Sequence, residues 1–199
     1  MSVLRNVILI LSVSGLGSCA SMQGYTNCDV HSSSNLPSLH PSAFGVNLIS
    51  TQQIVIEAKE NKFEFVSLLE INPYQLSLVA LTPVGQKLFQ LQYRKQNLDY
   101  SGQGIPSSFD PAFLLTDISL IYGKEVLLQQ CFAQIQIVFS AKETINNSDK
   151  SMKRSFLVSG TEKITIKYSS QDVWVSDIDF TNHTRDYTIK IKSLGVERL

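Results

Sequence analysis

The chain has 199 residues and a mass of 22.2 kDa, enough for one domain with a sizeable core and too little for two large domains. Its 17 Lys and Arg balance its 17 Asp and Glu, so the sequence predicts no basic surface for nucleic acid. Hydrophobic residues make up 43% of the chain, which excludes a disordered protein, and three cysteines are too few for a disulfide scaffold or a four-thiolate zinc site.

Residues 1–18 have the layout of a signal peptide. Arg5 precedes the uncharged apolar run Val7–Leu16, which as a helix would span about 15 Å, half of a hydrocarbon core of about 30 Å. The sequence therefore does not predict a permanent transmembrane helix. The run ends at Leu16-Gly17-Ser18-Cys19, which resembles a bacterial lipobox: an aliphatic residue, two small residues and a thiol that can accept a diacylglyceryl group. The alternative is an ordinary secretory signal in which Cys19 has no special role.

The resemblance to bacterial lipoproteins implies that Cys19 becomes the mature amino terminus and carries acyl chains such as palmitate. Each buried methylene contributes about 0.8 kcal/mol, so several chains hold a protein firmly without a spanning helix. In this class an Asp after the cysteine retains the product at the inner membrane. Ala20 follows Cys19 here, which implies the periplasmic face of the outer membrane.

Residues 19–45 are predicted to form the lipidated N terminus and a flexible tether, because they show no sustained apolar period and contain many Ser and Pro residues. Cys28 and His31 have the spacing of metal ligands, but the tether offers no further ligands, and no metal is predicted. A Cys28–Cys131 disulfide is compatible with an oxidising periplasm. The sequence leaves it open, because Cys131 also suits a buried free thiol on a strand.

Residues 46–199 are predicted to form one mainly β domain. Apolar and polar residues alternate, as they do from Phe63 to Ile71, which is typical of half-buried strands. Short turns between such segments favour an antiparallel meander. Further strands are predicted at Ile54–Ile56, Leu76–Ala80, Phe89–Tyr93, Cys131–Phe139, Ile164–Tyr168, Trp174–Phe180 and Tyr187–Ile191.

One helix is predicted from about Pro111 to Tyr122. Asp110 suits the N-cap, Pro111 the first helical position and Gly123 the end. A sheet of roughly eight to ten strands must curl around this helix to bury its inner face, and a cavity can remain between them. The residues predicted to line that interior are Phe63, Phe65, Leu78, Phe89, Leu91, Leu114, Ile118 and Trp174.

The sequence predicts no catalytic residue and no cofactor. It contains no nucleophile elbow, dinucleotide-binding fingerprint, phosphate loop or metalloprotease motif. The histidines are His31 and His40 in the predicted tether and His183 in a predicted turn, where a buried general base is hard to assemble. We therefore do not expect an enzyme.

Two segments resemble a known family: the strand–turn–strand unit Tyr74–Leu91, with Thr82-Pro83-Val84-Gly85 at its turn, and the segment Phe109–Asp117. With the lipobox, they resemble LolB, the outer-membrane receptor for lipoprotein localisation, and more closely an uncharacterised family of LolB-like lipoproteins associated with aryl polyene pathways. The resemblance implies a half-open antiparallel barrel covered by helices, an apolar hollow for acyl chains, and membrane contact by Val84.

We accordingly expect an outer-membrane lipoprotein that binds or transfers a lipid or acylated cargo without catalysis. Two alternatives stay open. Val84 can instead fold back onto a neighbouring side chain. The protein can also be a structural or assembly lipoprotein whose barrel is filled by its own side chains and which docks a protein partner in the cell envelope.

Overall fold

The computed structural model describes residues 27–30, 37–102, 110–133, 137–146 and 149–199. The helices are α1 (Pro41–Phe44), α2 (Pro111–Tyr122) and α3 (Glu125–Ala133). The strands, in chain order, are β1 (Cys28–Val30), β2 (Pro37–Leu39), β3 (Leu48–Ala58), β4 (Asn61–Asn72), β5 (Gln75–Leu81), β6 (Lys87–Arg94), β7 (Asn97–Gly102), β8 (Ile137–Asn146), β9 (Asp149–Val158), β10 (Thr161–Tyr168), β11 (Ile178–Asn182) and β12 (Tyr187–Arg198).

Ten strands form one antiparallel sheet in the order β7-β6-β5-β4-β3-β12-β11-β10-β9-β8. Two meanders, β3 to β7 and β8 to β12, are joined where the last strand pairs with β3, and this pairing runs from Tyr187–Ala58 to Arg198–Leu48. In the described part of the chain β7 and β8 do not pair with each other, so the sheet curls without closing. The predicted mainly β fold, a curled antiparallel sheet with a helix packed in it, is confirmed.

The inner face of the sheet follows the alternation seen in the sequence. Along β4 and β5 the buried residues Phe65, Leu69, Leu78 and Ala80 share one face, and their outward neighbours are polar or half-buried except Leu68, which is 38% exposed. Register preserves this face across strands, because Ile54 pairs with Phe65 and Leu69 pairs with Leu78. The apolar core therefore lies on the concave side of the sheet.

Helix α2 has the predicted bounds. The Asp110 side chain accepts a hydrogen bond of 2.8 Å from the backbone N–H of Ala112, and the N–H of Gly123 donates to Ser119 O over 2.8 Å. These caps satisfy backbone groups that would otherwise be unpaired at the helix ends. The helix lies against the concave face of the sheet.

The predicted strand at Cys131–Phe139 is wrong in its first part, because Cys131 and Ala133 belong to α3. Leu128, Cys131 and Phe132 are the buried residues of this helix, and their i, i+3, i+4 spacing is helical. The alternation of apolar and polar residues in the sequence runs without a break from Cys131 in α3 to Phe139 in β8. The pattern therefore did not indicate a helix. The strand itself begins at Ile137.

Trp174 was predicted on a strand but lies in the connection between β10 and β11. The Asp172 side chain accepts a hydrogen bond of 3.1 Å from the Trp174 N–H, and Ser176 Oγ donates to the Asp172 carbonyl at 3.1 Å. These local bonds form a compact turn in place of a strand. Trp174 is still buried there, with its ring stacked 4.5 Å from that of Tyr122.

The predicted tether over residues 19–45 is wrong for its described C-terminal part. β1 pairs with β2, and Leu39, Ala43 and Phe44 are each at most 5% exposed. A disulfide joins Cys28 to Cys131 with a Cα–Cα distance of 6.0 Å. The Ser and Pro residues interrupt the apolar period without preventing these apolar side chains from packing on the core.

Candidate functional site

The interior of the curled sheet is occupied by α2. Ten of its twelve residues are buried, on every side of the helix. A surface helix buries one stripe, whereas a helix that is buried all round lies inside a structure. The interior is thus filled by a chain segment in addition to the side chains of the sheet.

The residues predicted to line the interior fall into three groups. Leu78, Leu114 and Ile118 line one small cavity beside α2. Phe65 and Phe89 pack edge-on in the core with ring centroids 5.6 Å apart, and Phe63 is only partly buried near the end of β4. Leu91 and Trp174 are buried in the same apolar core without contributing to the cavity.

The cavity beside α2 is too small for a lipid. Its volume is about 20 Å³, between α2 and the walls formed by Ile54, Leu69 and Ile189. One water molecule needs about 10–15 Å³ of such space, whereas ligand pockets measure about 300–1,000 Å³. The interior beside α2 is therefore closed in the described structure.

The C-terminal end of α2 is held by the buried Arg154 of β9. Its Nη1 donates to the carbonyl oxygens of Leu120, Ile121 and Gly123 at 3.2, 2.9 and 3.0 Å. The positive guanidinium lies where the helix exposes unpaired carbonyls and the negative end of its dipole. Arg154 also lies 5.2 Å from the centroid of the Tyr168 ring, and the Tyr168 hydroxyl donates to Ile121 O over 2.6 Å.

A second polar contact connects the middle of α2 to β12. The Tyr187 hydroxyl donates to Asp117 Oδ2 over 2.5 Å, and Asn182 Nδ2 donates to the Tyr187 hydroxyl over 3.3 Å. Burial raises the pKa of the Asp117 carboxyl to about 7, although the Tyr187 hydrogen bond and the nearby Arg185 guanidinium act to lower it. Arg185 stacks on the Phe113 ring of the same helix at 3.1 Å from its centroid.

A third contact involves the amide of Gln52 on β3. Its Nε2 donates to the Tyr122 hydroxyl over 2.7 Å and to Ser50 Oγ over 2.9 Å, and all three side chains are buried. Polar groups from strands of both meanders thus converge on one helix. Each of the three hydrogen-bonded contacts is directional and forms or breaks as a whole, whereas the apolar packing around α2 is non-directional.

Val84 lies at the turn between β5 and β6, as predicted. Gly85 N donates to Thr82 O over 2.9 Å, and Gln86 N donates to Thr82 Oγ1 over 3.1 Å. Val84 is 81% exposed, so the alternative in which it folds back onto a neighbour is wrong. Its contact with a membrane stays a prediction.

The lipobox residues Leu16, Gly17, Ser18 and Cys19 lie outside the described residues. Within the described ranges, no group of three or more His, Cys, Asp or Glu side chains is arranged to hold a metal ion. In the same ranges no helix combines the length and apolar character that crossing a membrane requires.

Sequence reasoning missed the polar residues that hold α2. Asp117 carried a usable signal, because it is the only charged residue in the apolar stretch from Pro111 to Tyr122. A carboxylate there is expected to find a partner, although the sequence does not say which. Arg154 gave no such signal, because it follows Lys153 and the sequence does not indicate which of two adjacent basic residues faces the core.

Residues 50–195 match the family described as a protein of unknown function, DUF3261. The chain belongs to this family. No curated protein matches this DUF3261 member. It is similar to a Vibrio parahaemolyticus structure described as an outer membrane lipoprotein-sorting protein domain, with 11% identity, coverage of 77% of this chain and 85% of that one, and a TM-score of 0.38. It is also similar to a DUF1329 family protein from Desulfovibrio piger, with 6% identity, coverage of 76% and 85%, and a TM-score of 0.31.

Proposed function

We propose that this protein is an outer-membrane lipoprotein whose curled sheet binds or transfers a lipid or acylated cargo after α2 leaves the interior. The observation that carries the proposal is the burial of ten of the twelve α2 residues inside an apolar wall. The segment that fills the interior is a single short helix, and it is held at few polar points. The resemblance to lipoproteins of aryl polyene pathways makes a lipid-like cargo our preferred candidate.

The volume that α2 occupies is large enough for acyl chains. A helix of twelve residues is about 18 Å long and about 10 Å wide with its side chains, which corresponds to a space on the order of 1,000 Å³. This is the upper end of the range for ligand pockets, against about 20 Å³ in the closed state. Exchanging α2 for alkyl chains therefore changes the interior from closed to lipid-sized.

Replacing α2 by alkyl chains changes the free energy of apolar burial only a little. Burial of apolar surface is non-directional and depends on the area removed from water. Alkyl chains can thus replace Leu114, Ile118 and Ile121 against the same walls. The exchange loses the polar contacts that Arg154, Tyr168, Tyr187 and Gln52 make with α2, so these groups set the preference for the closed interior.

Membrane attachment in this proposal depends on Cys19. Cleavage before Cys19 and acylation of its thiol and amino group would anchor the protein without a spanning helix. Intact mass spectrometry of the mature protein tests this directly. We expect an acylated N-terminal Cys19, and Cys19→Ser should abolish acylation. A mature protein that begins at any other residue contradicts the anchor.

The binding function is tested by titrating the protein with a fluorescent fatty acid. Leu120→Ala removes a side chain of α2 that is 0% exposed, and Leu76→Ala makes the same change on the wall strand β5 at equal burial. Loosening α2 raises the population of the open state, so Leu120→Ala should tighten the apparent Kd at least tenfold, whereas Leu76→Ala should not. Both variants are first checked for cooperative unfolding.

The filled interior also favours the second candidate, a structural or assembly lipoprotein that docks a protein partner in the cell envelope. In that case α2 is a permanent part of the core. Neither the wild type nor Leu120→Ala would then show saturable binding of the fatty acid. That result contradicts the lipid-binding proposal and selects the alternative.

A further inference from the structure

The N-terminal segment is fastened to one end of the sheet. The Tyr93 hydroxyl donates to the Asp29 carboxylate, and Asn27 O accepts from the N–H of His40, whose ring lies 6.4 Å from the Tyr93 ring. The Cys28–Cys131 disulfide joins the same segment to α3. Tyr93 is the next-to-last residue of β6, immediately before Arg94 and the turn into β7. The chain that leads back to Cys19 therefore leaves the domain at the end of the sheet where β6 turns into β7.

The chain between Cys19 and Cys28 is short. Nine residues span at most about 30 Å when fully extended. Because the folded domain already includes Cys28 and does not begin at residue 46, an anchor at Cys19 holds this end of the sheet near the membrane. The orientation of the domain is thus restricted in a way that a tether of 27 residues would not have imposed.

Two neighbouring hairpin turns form the surface at this end, and we call them the anchor edge: Pro73–Tyr74 between β4 and β5, and Lys95–Gln96 between β6 and β7. They are adjacent because Gln75 pairs with Arg94. Tyr74 is 82% exposed, and its turn is fixed by Asn72 Oδ1, which accepts from the N–H groups of Tyr74 and Gln75 at 3.0 Å each. The turn therefore presents the aromatic ring to solvent.

The anchor edge carries two basic side chains that are exposed to solvent. Arg94 and Lys95 are both exposed, and neither forms an ion pair with any residue that the structure describes. Lys95 and Gln96 both adopt positive φ, at 47° and 65°. Gly or Asn is the usual choice for such a turn, and Gly160 fills one such position with φ 77° at the opposite end of the sheet. Lys59 adopts a similar φ of 53° in the β3–β4 turn at the opposite end, so this backbone conformation does not by itself distinguish the anchor edge.

We propose that the anchor edge lies on the membrane surface, with Tyr74 at the headgroup level and Arg94 and Lys95 against lipid phosphates. This rests on the proposed function, in that the acyl anchor at Cys19 brings this edge to the membrane. Tyrosine has an apolar ring and a polar hydroxyl, which suits the interface between headgroups and acyl chains. Arg and Lys extend apolar stems along such a surface and direct their charges to phosphate oxygens.

The geometry places Val84 away from the membrane, whereas the family resemblance implies that Val84 contacts the membrane. The seven residues of β5 place its turn about 23 Å from the anchor edge, at the opposite end of the sheet. When the anchor edge contacts the membrane, Val84 points into the periplasm. The two ends can therefore be compared directly as alternative membrane contacts.

The test uses the full acylated chain in vesicles of phosphatidylethanolamine and phosphatidylglycerol. Tyr74→Cys and Val84→Cys each introduce one labelling site, and the native positions are matched at 82% and 81% exposure. A fluorophore at each position is read out by quenching from lipids with spin-labelled headgroups. We expect several-fold stronger quenching at position 74 than at position 84. Equal quenching, or stronger quenching at position 84, overturns the proposal.

A second pair of variants tests the basic residues. Arg94→Gln with Lys95→Gln should lower the quenching at position 74 at least twofold, and Lys62→Gln with Lys87→Gln, at the opposite end, should leave it unchanged. An unchanged signal in the first double variant contradicts recognition of lipid phosphates. Flotation of the vesicles separates the two proposals: a chain that does not float lacks the anchor, whereas one that floats with the wrong quenching pattern refutes the anchor edge alone.

Discussion

Asp117→Asn is expected to remove a pH dependence of stability that originates inside the protein. Asp117 is a carboxyl on α2 with 2% exposure, and it accepts the Tyr187 hydroxyl over 2.5 Å. Burial raises its pKa from 3.8 to about 7, against the opposing effects of the Tyr187 hydrogen bond and of Arg185. The asparagine variant keeps an oxygen acceptor for Tyr187 and removes the titration.

The sign of the effect follows from the two pKa values. Because the pKa in the folded state exceeds that in the unfolded state, the folded protein binds more protons between about pH 4 and pH 7, and the free energy of unfolding falls as the pH rises through that range. A pKa of about 7 in place of 3.8 corresponds to about 4 kcal/mol, with 1.36 kcal/mol for each pKa unit. The hydrogen bond from Ser155 lowers the pKa of Glu162 to about 2, so Glu162 affects stability only at lower pH, below about 4.5.

Urea unfolding at a series of pH values from 4 to 8 measures this effect. The stability of Asp117→Asn relative to the wild type should rise by about 4 kcal/mol across the series. Asp179→Asn, at an exposed position of β11, is the matched control and should show no such trend. A stability difference between Asp117→Asn and the wild type that does not change with pH would refute the assignment of a neutral, buried Asp117 at low pH.

Three further changes test the contacts that hold the fold. Arg154→Met removes the donor to three carbonyls at the C-terminal end of α2 and should lower the free energy of unfolding in urea by about 3 kcal/mol. The neighbouring change Lys153→Gln removes only an exposed ion pair and should lower it by less than about 1 kcal/mol. Equal losses would contradict the role of Arg154. Replacing Cys28 and Cys131 by Ser opens a link between residues 103 apart and should cost up to about 5 kcal/mol by the same assay; no loss would mean that the link does not constrain the chain. Ser67→Ala removes a buried hydroxyl that has no hydrogen-bond partner in the described structure, so it should raise the melting temperature with a gain of about 1 kcal/mol, and a lower melting temperature would reveal a partner for Ser67.

The sheet was predictable because its signal is local. Alternation placed Phe65, Leu78, Ile166 and Ile189 on one inner face, and the structure buries all four. The start of α2 was equally local, since Asp110 and Pro111 specify an N-cap and a first turn.

The remaining features depend on contacts between residues far apart in the chain. Asp117 and Tyr187 are separated by 70 positions and Cys28 and Cys131 by 103, so no local pattern identifies either pair. The packing of Leu39 and Phe44 was missed for the same reason, because a short segment rich in Ser and Pro gives no periodic signal. Whether α2 leaves a hollow or fills it depends on volumes in the assembled sheet, which alternation does not encode.

Native mass spectrometry of the full chain, purified from membranes without added lipid, tests the central claim most directly. The account predicts a fraction of molecules that carry one non-covalent lipid, lost on denaturation and distinct from the acyl chains on Cys19. It also predicts that this fraction increases in Leu120→Ala, because α2 is then released more easily. Molecules without non-covalent lipid in both the wild type and the variant would contradict the account and assign α2 permanently to the core.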